Sequence, residues 1–231
     1  MNARGPGIRV SARIRADVAT LWAYTQDTPR HERWDVRFGR IRPTGEGAFT
    51  YRRFGVAGTG THRGDRDLPD GGATSALSFS CANPLSPIES GAGFWRYRPD
   101  GDGTRFETGY DYVARYRAVD RAFRPLMAWG TAWSFDRLRL WVERGLAPEV
   151  TTAVALIDVA LRCALVATTV LLTLTGSGSV AGAVVAALGV VLALVVPPFP
   201  WTPAARRTTW SWRPHTSRST GKCPVEEGAT R

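Results

Sequence analysis

GTRFETGYDYVARYRAVDRAFRPLMAWGTAWSFDRLRLWVER, residues 103–144, joins the two halves of one architectural statement. From Thr104 to Arg117 the residues alternate. Phe106, Thr108, Tyr110, Tyr112 and Tyr116 fall on one face, and Arg105, Glu107, Asp111 and Arg115 on the other. A period of two with one apolar side is a strand that is buried on one face and wet on the other. From Val119 to Arg144 the period lengthens. Phe123, Leu126, Met127, Trp129, Trp133, Leu140 and Trp141 recur at helical spacing, and Gly145 and Pro148 close the helix. A long antiparallel strand therefore runs directly into a long amphipathic helix.

Working back towards the N-terminus, GIRVSARIRA (residues 7–16) alternates and reads as a first strand. Asp17 is a good N-cap for a helix over residues 18–25, and Thr28-Pro29 breaks it. A short second helix or turn runs to Trp34. Strands follow at residues 37–42, 49–55, 58–66, 75–81 and 93–98, with Thr44-Gly-Glu-Gly47 and Asp70-Gly71-Gly72 as turns. Gly55-Val-Ala-Gly-Thr-Gly60 reads as a turn between strands rather than a phosphate cradle.

Beyond residue 150 the chain changes character. Residues 151–175 and 180–196 are apolar and hold only Asp158 and Arg162 as charges. A bilayer core needs about 20 helical residues, so both stretches are expected to span. A connector of about five residues makes them an antiparallel hairpin. Pro197, Pro198 and Pro200 stop the second helix, and Trp201 and Arg206-Arg207 anchor it at the interface. Gly182, Ala186, Gly189 and Ala193 on one helix and Ala160, Ala164 and Ala167 on the other form small-residue stripes expected to meet. Asp158 and Arg162, four apart, fit either an intrahelical pair or a contact with the soluble domain or a second copy.

The chain carries 30 basic and 20 acidic residues, a net charge of +10. The excess flanks the apolar stretches on both sides, as the positive-inside rule requires of cytoplasmic segments. The expected location is thus the cell membrane, multi-pass, with both termini cytoplasmic, and residues 201–231 as a basic, disordered tail. No basic cluster alternates with stacking aromatics, so nucleic acid is not an expected partner. Cys81, Cys163 and Cys223 form no metal or disulfide pattern. There is no HExxH, GxSxG or P-loop, and His31, His62 and His215 are scattered and expected at the surface. No catalytic residue, metal or cofactor is expected.

The order strand, two short helices, about six strands and a long helix resembles the START-like (SRPBCC) superfamily of polyketide cyclases and lipid carriers. IRADVATLWAYTQDTPRHERWD, residues 14–35, with Trp22 and Trp34, carries the likeness, together with the Gly-Thr-Arg-Phe stretch and the aromatic terminal helix. The resemblance spans residues 8–145. It implies an α+β, helix-grip fold: a curved antiparallel sheet around a long helix, with an apolar cavity between. The implied domains are a START-like unit over 1–147, a transmembrane hairpin over 148–200 (about 151–175 and 179–197), and the tail. Trp22 and Trp34 are packing residues. Trp95, Tyr110, Tyr112, Trp129 and Trp133 are the residues expected to line the cavity, although an aromatic stripe also suits plain core. Three functions remain open: a membrane-tethered carrier or sensor of a lipid, quinone or polyketide-like molecule; a cyclase or dehydratase acting on a hydrophobic substrate; and an interaction module with a filled core. The apolar helices also offer a surface for a homo-oligomer.

Overall fold

The computed structural model describes residues 7–53, 55–175 and 180–213. In chain order the elements are β1 (Ile8–Ile14), α1 (Val18–Gln26), α2 (Thr28–Trp34), β2 (Arg40–Gly45), β3 (Ala48–Arg53), β4 (Val56–Asp67), β5 (Ala73–Ser80), β6 (Ile88–Asp100), β7 (Gly103–Ala114), α3 (Arg117–Arg144), α4 (Pro148–Thr175), α5 (Val180–Val195) and β8 (Thr209–Trp212). The eight strands form one antiparallel sheet in the order β2-β3-β4-β5-β6-β7-β1-β8. This is the α+β arrangement expected from the sequence, with α3 gripped by the sheet.

Three local devices bend the sheet. Register shifts interrupt the ladders at Pro43/Gly45, His62/Gly64 and Ile88/Ser90, and each extra residue bends its strand and increases its twist. Gly64 takes φ 130°, which a side chain would resist. Gly60 lies in β4 under the ring of Phe49, so close that a Cβ would overlap it. The glycine-rich run is therefore strand from Val56 onward, and only Gly55, at φ 77°, belongs to the turn. The glycines make room for rings rather than for phosphate.

The concave face holds the core. Ile8, Val10, Ala12 and Ile14 of β1 and Phe106 of β7 are buried against Ala128, Ala132, Phe135 and Leu138 of α3. Phe106 and Phe135 stack at 4.5 Å. The small residues of α3 face the sheet because they let the helix axis approach it. Asp17 caps α1 by accepting from the Thr20 amide at 2.6 Å, and Asp27 caps α2 by accepting from Arg30 at 3.0 Å. Gly145 ends α3 in the left-handed region, its amide donating to the Trp141 carbonyl at 2.9 Å.

α4 has 28 residues and an apolar window of mean hydropathy 2.0. Among the described residues it is the single helix long and apolar enough to cross a membrane. α5 is shorter than expected, at 16 residues. The expected connector at 176–179 lies outside the described residues, as do His215 and Cys223.

The two helices pack antiparallel, α5 through the expected stripe of Gly182, Ala186, Gly189 and Ala193 and α4 through residues other than the expected alanines. Thr173 donates to the Gly182 carbonyl at 3.1 Å, Gly189 abuts Thr169, and Arg162 donates to the carbonyls of Ala193 and Val196. Ala160, Ala164 and Ala167 face outward. The polar side chains of α4 have the stronger claim on the interface, because their hydroxyl and guanidinium donors find carbonyl partners there. Arg162 also pairs with Asp158 at 2.9 Å, along one helix.

The segment after α5 departs from the expected disordered tail. It returns to the sheet, where a 3-10 turn at Ala205–Arg207 leads into β8, which pairs with β1. The Ala204 amide and the Arg207 guanidinium donate to the buried Asp136 of α3 at 2.8 and 3.1 Å.

Candidate ligand cavity

A cavity of about 80 Å³ opens between the bent strands β3–β7 and α3. Tyr51 comes from β3, Leu77 and Phe79 from β5, Ile88 and Trp95 from β6, Thr108 and Tyr110 from β7, and Met127 from α3. Leu77 sits opposite Gly93, where a Cβ would overlap Tyr110, so the glycine lets Tyr110 approach β6. Arg37 and Phe38, on the loop between α2 and β2, close the remaining side. The lining is mostly apolar, with a few polar groups that are all donor-capable, as small-molecule sites generally are.

The polar groups are held rigidly. Asp35, 1% exposed, accepts from Arg37 through Nη2 at 2.6 Å, Nε at 2.9 Å and the backbone amide at 3.0 Å. His31 adds a contact at 3.3 Å. Burial works to raise the Asp35 pKa, but the charge of Arg37 and the hydrogen bonds of Arg37 and His31 win, and the carboxyl sits well below its usual range. Burial likewise opposes the Arg37 charge, and Asp35 overcomes it, so the guanidinium stays protonated. It lies 5.2 Å from the Tyr110 ring centroid and 5.7 Å from that of Phe38.

Tyr110 Oη shares a hydrogen bond of 2.9 Å with Thr131 Oγ1. Burial pushes its phenol up, against the opposing pull of Arg37 and Thr131. Burial pushes Tyr51 up to about 12. At neutral pH the three titratable groups of the lining are therefore two neutral phenols and one arginine cation. They can donate hydrogen bonds and orient a ligand, and none is set to take up a proton.

Of the five residues expected to line a cavity, the structure brings Trp95 and Tyr110 together there. Tyr112 lies elsewhere, donating to Asp120 at 2.7 Å, in a buried knot where Arg124 also binds Asp120 at 3.1 Å and Asp111 at 2.7 Å. Trp129 and Trp133 stack at 6.4 Å on another flank of α3, where Trp133 packs against the core's edge, and both border an open groove shared with Arg33, Arg53 and Arg137. Bulk misled here: the tryptophans of α3 sit beside the helix–sheet contact, and Ala128, Ala132, Phe135 and Leu138 fill it. Tyr116 also leaves the stripe, because β7 ends at Ala114, and its hydroxyl donates to the Pro84 carbonyl at 2.7 Å.

His31 is a further departure. Rather than at the surface, it is 9% exposed, stacked on Trp34 at 5.2 Å and edge-on to Trp95 at 4.9 Å. His62 pairs with Asp65 at 3.1 Å, not with His31. Asp35, Arg37 and Phe38 were missed by sequence reasoning, which placed a strand from residue 37. β2 begins at Arg40 instead. The available signal was an acid and a base two apart in a short loop after a buried tryptophan.

The joint with α4 lies behind α2. Arg137, 7% exposed, donates to the carbonyls of Arg33, Trp34 and Pro148 at 2.8, 3.2 and 3.1 Å. Arg33 forms a bidentate pair with Glu149 at 2.8 and 2.9 Å. Both side chains fix the start of α4 to the domain.

Comparison with known proteins adds an outside view. The family model described as polyketide cyclase / dehydrase and lipid transport matches residues 6–140. A curated relative, the "Uncharacterized membrane protein YndG" of Bacillus subtilis (strain 168), is 41% identical over 159 residues, covering 62% of this chain. The chain spans 59% of that relative's length. Similar solved structures include a STAR-related lipid transfer protein fragment from Xanthomonas axonopodis, 15% identical, TM-score 0.44, covering 59% of this chain and 85% of that one. CalU16 from Micromonospora echinospora is 19% identical, TM-score 0.41, covering 62% and 77%.

Proposed function

The chain belongs to the polyketide cyclase/dehydrase and lipid-transport family, and from that premise we propose that it binds a small apolar molecule in the cavity between sheet and α3, at a membrane surface. The observation that carries this reading is the character of the lining. Apolar walls from Leu77, Phe79, Ile88 and Met127 surround one fixed cation and two neutral phenols. Such a site holds a greasy body and donates to one oxygen on it. With no group poised to exchange a proton, binding, carriage or sensing is favoured over turnover.

A volume of about 80 Å³ is below the roughly 150 Å³ that accommodates benzene. Entry of a lipid, quinone or polyketide-like ligand therefore displaces the half-buried Leu77, Phe79 or Met127 side chains. Trp95 and Tyr110 are the expected aromatic contacts, with Arg37 orienting the polar end.

The membrane reading rests on α4 and α5 together. The exposed flank of α4 is apolar, carrying Leu156, Ile157, Leu161 and Leu171. The chain enters the pair at Pro148, next to α2, and returns from it to pair β8 with β1. Both ends of the pair thus lie on the side of the soluble domain, which favours an inserted hairpin with cytoplasmic termini. The proposed units are the ligand-binding domain over 1–147, joined by 202–212, and the hairpin over 148–200. A relative named as a membrane protein is in keeping with this.

Native mass spectrometry of the full chain, extracted in mild detergent, tests the proposal. Wild type is expected to retain an apolar molecule, and Leu77→Trp, which adds bulk to the wall of a small cavity, is expected to lose it. Equal retention by the two, with both folded, would remove the cavity from the account.

A further inference from the structure

We infer that a second site, an open basic groove of about 760 Å³ beside the exit of α5, binds the phosphate headgroup of an anionic lipid. The inference rests on the membrane reading above and concerns a surface remote from the cavity. Three walls form the groove. Arg13 and Arg15 lie at the end of β1, Arg139 and Arg144 on the last turns of α3, and Arg206 and Arg207 on the returning segment, with Glu143 as the sole carboxylate of the lining.

Several of these charges are committed. Arg13 pairs with Asp102 and Asp100, Arg15 with Glu143, and Arg139 and Arg207 with Asp136. Arg144 and Arg206 are exposed and have no carboxylate partner among the described residues. An anion entering the groove would meet two free guanidiniums and a positively biased wall. Arginine suits phosphate oxygens through its planar fork of donors.

Position selects the source of that phosphate. The groove is floored by Pro197–Pro200, the segment that leaves α5. Phe199 and Trp201 stack at 5.9 Å and are about half exposed, 48% and 47%. Aromatic rings of this kind sit at headgroup level in membrane proteins. The opposite wall ends at Gly145, three residues before α4 begins. The groove therefore lies between the points where the apolar pair starts and finishes, where headgroups would be in reach and a free ion would have no apolar contact to add.

Full chain in detergent, titrated with dihexanoyl phosphatidylglycerol, dihexanoyl phosphatidylcholine or inorganic phosphate and read by native mass spectrometry, tests this. The expected order is phosphatidylglycerol tightest. Arg144→Gln with Arg206→Gln should weaken it by about 30-fold, at the scale of one basic residue near an anionic surface counted twice, with an unchanged melting temperature. Leu77→Trp should leave it intact, which separates this site from the cavity. Phosphatidylcholine bound equally well, inorganic phosphate competing at the same concentration as the lipid, or a double variant with wild-type affinity would each overturn the inference.

Discussion

Replacing Asp35 by Asn removes the charge that holds Arg37 against the cavity, while keeping the side-chain volume. Asp35 accepts two guanidinium hydrogen bonds and one amide hydrogen bond from Arg37 and a contact from His31, all out of water. The variant leaves the buried cation uncompensated, and breaking a buried pair in this way costs about 3–5 kcal/mol. For a domain of this size each kcal/mol moves the melting temperature by about 2–4 °C. The expected fall is about 6–20 °C, read by near-ultraviolet circular dichroism of the full chain in detergent. Adding Arg37→Met should recover at least half of it, because removing both charges leaves nothing unpaired. The pH dependence follows from the lowered carboxyl. A folded pKa below the unfolded one, about 3.9, means the contribution is fully present above that value and lost as pH falls through the folded pKa. Wild type should therefore lose stability below about pH 4 more steeply than Asp35→Asn. A fall of under about 2 °C, or equal acid sensitivity in both proteins, would refute the buried-pair argument.

Tyr110→Phe deletes the hydroxyl's hydrogen bond to Thr131 and its long contact with the Met127 carbonyl at 3.4 Å and should cost about 1–2 kcal/mol, measured by urea titration; a change above about 4 kcal/mol would mean the hydroxyl serves more than these contacts. Arg124→Met empties the knot of Asp111, Asp120 and Tyr112 and should destabilise by about 3–5 kcal/mol, with Asp120→Asn in the same background restoring part of the loss. Ending the chain after Pro200 removes β8 and the Ala204 and Arg207 donors to Asp136. It should lower the melting temperature of the front domain, whereas no change would return residues 202–212 to the role of a passive tail.

The architecture was legible wherever one periodicity ruled a long stretch. β7 into α3, the alternation of β1 and the Asp17 cap read directly from residue type, because each reports a local preference. What escaped was decided by distance in space. Ala128, Ala132 and Phe135 rather than Trp129 and Trp133 sit at the centre of the helix–sheet contact, the alanines letting the helix come close enough for Phe135 to stack on Phe106. His31 is buried because Trp34, Phe38 and Trp95 converge on it; the first two are close in sequence, but Trp95 arrives from β6, which no local pattern announces. β8 is four residues long and forms only because β1 offers a free edge after the α4–α5 excursion. In the cavity, Tyr110 lies on the face that the alternation of β7 assigns to it and Trp95 came with the implied helix-grip fold, but the Asp35–Arg37 clasp depends on a loop whose course the sequence does not dictate. The α4–α5 contact shows both outcomes: counting small residues found the face of α5, with Gly189 and Ala193 buried, while on α4 hydrogen-bonding demand from Thr173 and Arg162 chose a face other than that of Ala160, Ala164 and Ala167.

Methyl-labelled NMR of the full chain with a bound apolar molecule is the most direct examination of the central claim. Intermolecular nuclear Overhauser effects from the methyls of Leu77, Ile88 and Met127 to ligand protons are the predicted result, and their loss in Leu77→Trp should follow. Contacts confined to the outward methyls of α4, such as Leu156 and Leu161, would mean that the molecule lies against the helical pair and that the cavity binds nothing.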